Sequence, residues 1–326
     1  MFCPECGSWN RSALRTCARC TRALPDVRGP SDIPDALTTA LRHALGARYH
    51  IVRRVGQGGM AEVYEARHHV LGHRLAVKVL HAHLARDPEM RTRFRREAEA
   101  ASRLAHPLIC SPVDYGETRE HAFLVQSFLG GGCLADQLAR GGSIPAGRMA
   151  RIAAQVATAL DFAARQGVIH RDVKPDNVLF DGDDNAILTD FGIASARFQA
   201  RLTAGGQAMG TPHYMAPEQA MGRVVDTRSD LYAVGVMLYE CLSGVPPFDA
   251  PDGYEVARQQ VHETPTPLAR VASAVPAPLA TITMQCLEKD PAARPQRGHD
   301  LADALYAWLA TQGGGDGTAR AARPRA

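Results

Sequence analysis

His170-Arg171-Asp172-Val173-Lys174-Pro175-Asp176-Asn177, with Asp190-Phe191-Gly192 downstream, is the stretch on which the reading of this chain turns. It sets a carboxylate beside a cation and an amide. A second carboxylate then opens a glycine-containing turn after the apolar run Ala186-Ile187-Leu188. Phosphoryl transfer needs these groups: oxygen ligands for magnesium, a carboxylate to receive the nucleophile's proton, and positive charge on the transferred group. Asp172 suits the proton, Asn177 and Asp190 the metal, and Lys174 the charge.

Working outward, Gly56-Gln57-Gly58-Gly59-Met60-Ala61-Glu62-Val63 lies between expected strands at 49–55 and 61–66. Glycines there let a hairpin backbone approach phosphates with its amides facing the anion. A third strand is expected at 74–80. Lys78 sits inside its apolar run Ala76-Val77-Lys78-Val79, where desolvation demands an anionic partner. Glu97, on an expected helix at 91–104, is the candidate; Glu99 falls about 200° further round the helix axis. Farther on come Ala216-Pro217-Glu218, Asp230 at the head of an apolar helix expected at 231–242, and Arg294 within Lys289-Asp290-Pro291-Ala292-Ala293-Arg294-Pro295.

The order of the glycine loop, the strand lysine, H-R-D-x-K-P-x-N and D-F-G resembles the catalytic core of the protein-kinase superfamily, in its bacterial Hanks-type Ser/Thr branch. The resemblance covers about residues 49–309. It implies an α+β, two-lobed fold with a β-rich N-lobe and an α-rich C-lobe. It also implies ATP with Mg²⁺ or Mn²⁺ and transfer to serine or threonine hydroxyls of proteins. Asp172, Lys174, Lys78 and Glu97 would be catalytic, with Lys78 and Glu97 holding the α- and β-phosphates. Gly56, Gln57, Gly58, Gly59, Met60, Val63, Ala76, Lys78, Asn177 and Asp190 would contact nucleotide or metal. Ser127 and Leu129 would do so from Phe123-Leu124-Val125-Gln126-Ser127-Phe128-Leu129, which aligns with the segment that meets adenine. Ala61 replaces the third glycine, Gln126 takes a position more often apolar, and Ser127 replaces a glutamate. His170 would pack rather than react. Glu218, Arg294 and Asp230 would be structural. Arg171 suggests regulation by phosphate on the segment between Asp190 and Glu218, at Thr203 or Ser195, with Thr203 the expected autophosphorylation site. Thr211 would face the substrate, near Asp172 and Lys174.

Cys3, Cys6, Cys17 and Cys20 form C-x2-C…C-x2-C, whereas Cys110, Cys133, Cys241 and Cys286 are scattered and read as small apolar core residues. Four paired thiolates suit a closed, tetrahedral, structural Zn²⁺ site, and so short a segment would draw its folding energy from the metal. Residues 1–24 therefore resemble a zinc ribbon preceding the kinase-like domain. Residues 25–48 form a linker with a short helix at 36–45, which could pack on the main domain or bridge the modules. Residues 310–326 read as a disordered tail.

The 326 residues are 45% hydrophobic with a formal net charge of +3, too weakly basic to argue for nucleic acid. No apolar run reaches the roughly 18–20 residues of a membrane helix, and the start lacks a signal-peptide pattern, so a cytoplasmic protein is expected. Expected partners are protein substrates, a docking protein on the zinc ribbon, and a second copy of the chain for trans-autophosphorylation. Two alternatives stand beside the enzyme. One is a nucleotide-binding pseudokinase scaffold, against which intact Lys78, Glu97, Asp172, Asn177 and Asp190 argue. The other is a zinc-ribbon-led binder of nucleic acid or a partner, with Arg11, Arg15, Arg19, Arg22 and Trp9 at the contact.

Overall fold

Leu37, Leu41 and Leu45 recur at one-turn spacing, and a helix with that stripe needs an apolar surface. The computed structural model, which describes residue 16 and residues 35–57, 60–191 and 212–312, supplies one. The chain divides into two compact units, residues 1–140 with 162–211 and residues 141–161 with 212–326.

The described part of the first unit begins with helix α1 (Asp35–Leu45). Five antiparallel strands follow: β1 (Tyr49–Gln57), β2 (Ala61–His68), β3 (Arg74–Leu80), β4 (Pro112–Glu117) and β5 (Ala122–Ser127), in the order β1-β2-β3-β5-β4. Side chains alternate across a strand, and β3 shows the result. Leu75, Val77 and Val79 join Tyr64, Ala66, Phe123 and Val125 under the three leucines of α1. Leu80 and Leu124 point the other way, onto Phe94 and Ala98 of α3 (Pro88–Ala101), and Lys78 shares that second face. The helix whose placement the sequence left open thus covers the sheet. Gly116 of β4 makes room for it, because a Cβ there would lie 2.5 Å from Leu45 Cδ2. At the α1–β1 junction, Tyr49 donates to Asp114 (2.7 Å), which also pairs with Arg48 (2.9 Å).

Helix α3 starts before the expected residue 91. Asp87 caps it by accepting from the Glu89 and Met90 amides, and Pro88 occupies the first turn, where its missing N–H costs nothing. A short helix α2 (Ala82–Ala85) precedes it. After β5 come α4 (Leu134–Gly141) and α5 (Ala146–Arg165), the latter shared between the units at residue 161. The two-stranded hairpin β6 (Val178–Phe180) and β7 (Ala186–Leu188) closes the described part of this unit. Cys133 departs from expectation. It is half-buried rather than core, and its sulfur accepts the Asp136 amide at 3.4 Å, capping α4 where an oxygen would usually serve.

The second unit is helical. Its described α-helices after residue 212 are α6 (Pro217–Ala220), α7 (Thr227–Ser243), α8 (Gly253–His262), α9 (Leu268–Val271), α10 (Ala277–Cys286) and α11 (Gly298–Gln312), with short 3-10 turns at Pro212–Tyr214 and Pro291–Ala293. Helix α7 is buried from Ser229 to Leu242, apolar nearly all round as a central core helix must be. It begins earlier than expected because Asp226 caps it by accepting from the Arg228 amide. Gly235 lets α10 approach, since a Cβ would stand 2.5 Å from Cys286 Cβ. Cys241 and Cys286 are core residues as expected, and so is Cys110 in the first unit. Helix α11 carries its buried face through Leu301, Leu305 and Trp308 and runs to Gln312, so the segment expected as a tail from 310 begins inside a helix. The zinc-ribbon cysteines, Ser195, Thr203 and Thr211, and the tail beyond 312 lie outside the described residues. Among those residues no helix is long and apolar enough to cross a membrane.

Candidate active site

The loop before β6 and the end of β7 are tied by His170. Its Nε2–H donates to the Thr189 carbonyl (2.8 Å) while its Nδ1 accepts the Asp172 amide (3.2 Å), a pair of bonds that assigns the tautomer. The ring is fully buried, 4.6 Å from that of Phe191. A histidine so engaged is a strut rather than a base, as expected. The Thr189 amide in turn donates to the Asn177 carbonyl at 2.9 Å.

These ties bring Asp172, Lys174 and Asn177 together. Lys174 Nζ lies 2.6 Å from Asp172 Oδ2. Asn177 Nδ2 donates to the Asp172 carbonyl (2.7 Å) and to the same Oδ2 (3.1 Å). Both donors fall on one oxygen, which fixes the carboxylate plane and leaves Oδ1 as the edge that can receive a proton. Burial pulls the Lys174 ammonium down, but Asp172 and Asp176 outweigh it and hold the group above its ordinary value, fully charged.

Asp190 pairs with Lys78 at 2.9 Å. The sequence led to Glu97 as the lysine's counter-ion; the ion pair on Lys78 is with Asp190. Glu97, Gln126, Cys110, Leu124, Asp190 and Phe191 line a single cavity, so α3 does bring Glu97 to the same chamber. Burial would raise the Asp190 carboxyl, yet Lys78 brings it below its ordinary value, so it is ionised at neutral pH. Arg171 (φ 67°) and Asp190 (φ 66°) both adopt the left-handed backbone that non-glycine residues avoid, a cost tolerated where function demands a particular side-chain direction.

The cradle expected for the nucleotide is partly described. Gly56 pairs with Val63 and Gln57 with Glu62 across β1–β2; Val63 stands opposite Lys78. Ala76 is buried on the Lys78 face, and Met60 packs toward the α3 cluster. Gly58 and Gly59 lie outside the described residues. Ser127 is exposed and its carbonyl meets the Cys110 thiol at 3.6 Å; Leu129 is half-buried. Burial pushes that thiol up to about 12, which makes it inert.

In the second unit Arg294 forms a two-pronged ion pair with Glu218 (2.7 and 2.9 Å), and Ser229 donates to the same carboxylate at 2.5 Å. Asp230 is buried in the first turn of α7. Sequence reasoning missed Gln260, buried on α8 and bonded to the chain just after Thr211. A glutamine amid polar neighbours carries no signal that could have found it.

Lys78 thus lies on a five-stranded sheet covered by α1 on one face and α3 on the other, its carboxylate partner Asp190 just after β7, and Asp172, Lys174 and Asn177 on the loop before β6. The protein kinase domain family matches residues 49–305. The chain belongs to the protein kinase family. Its sheet is the N-lobe of that two-lobed fold and its helical unit the C-lobe. It is 41% identical over 282 residues to serine/threonine-protein kinase pkn2 of Myxococcus xanthus, covering 84% of this chain and 33% of that protein. It is also 41% identical over 259 residues to serine/threonine-protein kinase PknH of Mycobacterium tuberculosis, covering 79% and 41%. The chain thus spans well under half the length of these curated relatives. Among solved structures, the PknI kinase domain of Mycobacterium tuberculosis superposes with a TM-score of 0.65 at 32% identity, covering 80% of this chain and 96% of that one. The kinase domain is therefore of the bacterial Ser/Thr kind.

Proposed function

We propose that the protein transfers the γ-phosphate of ATP to serine and threonine hydroxyls of proteins. The observation that carries this reading is the joint hold of Lys174 and Asn177 on a single oxygen of Asp172. Asp172 Oδ1 takes the proton of the incoming hydroxyl as its oxygen bonds to the γ-phosphorus and the bond to the β-phosphate oxygen breaks, releasing ADP. Lys174 draws off charge building on the transferred group. Lys78 is the cation for the α- and β-phosphates, with Glu97 in the same chamber to receive it when Asp190 turns to its other role. Asp190 and the Asn177 side-chain oxygen form a hard, oxygen-only donor set that suits Mg²⁺ or Mn²⁺. Such an ion neutralises phosphate charge when bound.

The test is incubation of the purified protein with Mg²⁺ and γ-labelled ATP, with and without a basic protein substrate, beside Asp190→Ala. Label on serine and threonine in the wild type alone is the expected result. Nucleotide binding without transfer would replace the enzyme by a scaffold. Regulation is read in the same assay: auto-labelled protein carries phosphate at Thr203, with Arg171 the cation proposed to bind it. Unchanged labelling and activity in Thr203→Ala would overturn that site.

Residues 1–24 are proposed to be a Zn²⁺-stabilised protein-docking module, on the strength of four cysteines in two C-x2-C pairs. One zinc per chain by elemental analysis, lost in a Cys3→Ser, Cys6→Ser variant, is expected; zinc-free protein with the same proteolytic stability of this segment would dismiss it.

A further inference from the structure

The turn between β2 and β3 carries Val70 and Leu71, 82% and 62% exposed. Among the described residues no other two consecutive large apolar side chains stand so open to solvent. The turn beneath them is braced. The His68 amide donates to the His73 carbonyl and the Gly72 amide to the His68 carbonyl, both at 2.9 Å. His68 Nδ1 then accepts the amides of Val70 (3.3 Å) and Leu71 (3.2 Å). Gly72, at φ 70°, allows the chain to return. The His69 amide reaches the Arg48 carbonyl at 2.6 Å, and the His68 ring stands edge-on to Tyr49, 5.6 Å away. Two aliphatic side chains are therefore held outward on a backbone whose own amides are already satisfied. A backbone of that kind can enter an apolar medium without stranding a donor.

Positive charge surrounds this tip. Residues 48–74 hold five arginines against two glutamates, a net +3 with histidines neutral, equal to the charge of the whole chain. At the foot of the turn Arg67 lies directly opposite Arg74 on β3 and His50 on β1. Like charges so placed repel. The carboxylate on that face of the three strands, Glu65, is buried and already shared by Arg53 and Arg74, each at 2.8 Å. Arg67 makes no ion pair among the described residues. An anion from outside the chain would relieve this row.

We propose that the β2–β3 turn is a docking surface for an anionic lipid bilayer, with Val70 and Leu71 entering the boundary between headgroups and acyl chains and Arg67 and Arg74 meeting lipid phosphates. A soluble polyanion would use the arginines and leave the aliphatic tip idle, whereas a bilayer surface uses both. The inference stands apart from phosphotransfer, since neither the tip nor Arg67 is assigned to nucleotide or hydroxyl.

The test is co-sedimentation of the full chain with phosphatidylcholine vesicles containing phosphatidylglycerol, beside vesicles of phosphatidylcholine alone. Binding to the anionic vesicles only, weakened by added salt, is the expected result. Val70→Ser with Leu71→Ser should weaken it about ten-fold, since two aliphatic side chains leave the interface. Arg67→Gln should weaken it about five-fold, the effect of one cation near such a surface. The substituted side chains are exposed, so melting temperature and phosphate transfer in solution should match the wild type. No binding to anionic vesicles overturns the proposal, and so does equal binding to both vesicle types. Serine variants that bind as the wild type does, while Arg67→Gln binds less, would make this a site for a soluble polyanion or an acidic protein and overturn the lipid reading. Unchanged binding in every variant moves the contact elsewhere in the chain. A lowered melting temperature in the serine variant would make the tip part of the packed fold, which also overturns it.

Discussion

Asp172→Asn lowers phosphate transfer by about 10²–10⁴-fold, the range for removing a positioned proton acceptor, while ATP binds as before. The substitution keeps the size and shape of the side chain. It replaces a carboxylate that Lys174 and Asn177 hold through Oδ2, and it leaves no oxygen basic enough to receive the hydroxyl's proton. Single-turnover transfer under saturating ATP is the measurement, with nucleotide affinity by calorimetry alongside. A loss of less than about ten-fold would mean that Asp172 orients the hydroxyl without accepting its proton, which a loose transition state permits. Loss of ATP affinity to the same degree would place the residue in nucleotide binding.

Arg294→Ala should cost about 3–5 kcal/mol of stability, the penalty for breaking a buried ion pair from one side. The Arg294 side chain is wholly buried, and all five of its N–H donors are used. Beyond the two bonds to Glu218, it donates to the carbonyls of Glu288 (2.7 Å), Arg228 (3.1 Å) and Lys289 (3.0 Å). Truncation strands a buried carboxylate and three carbonyls at once. Lysine, with three donors and no planar fork, would recover little of this. Acidity supplies a second signature. Burial alone would raise the Glu218 carboxyl, but Arg294 and Ser229 hold it below its ordinary value of 4.5. Its contribution is therefore complete above 4.5 and lost as pH falls through the lowered folded value. The gap between wild type and Arg294→Ala in denaturation midpoint should narrow below that pH; a gap constant from neutrality into acid would detach Glu218 from the effect.

Several features of this arrangement were legible before any coordinates. The short apolar run around Lys78 marked a strand with one anomalous cation, and the spacing of Asp172 to Asn177 marked a metal and proton-transfer loop. Other features depend on distance in space. Lys78 has two carboxylates within reach of its demand, Glu97 and Asp190, and only geometry selects Asp190. The leucine stripe of α1 was plain, yet the surface it covers is assembled from alternate residues of β1, β2, β3 and β5, which no local pattern displays. The start of α3 was written in Asp87-Pro88 and was masked by the charged run behind it. Cys133 shows the opposite case, a residue type read as core that serves as a cap because its sulfur has the amide of Asp136 in front of it.

The placement of α1 has a consequence for how the chain acquires its structure. This helix is made before any strand, but the face it must bury against is complete only once Phe123 and Val125 have joined Leu75, Val77 and Val79. An isolated helix of eleven residues is marginal in water. Its leucines therefore stay unburied through the synthesis of β1 to β4. Closure of the first unit is thus a late, long-range event that joins the beginning of the domain to its fifth strand, the kind of contact that slows folding.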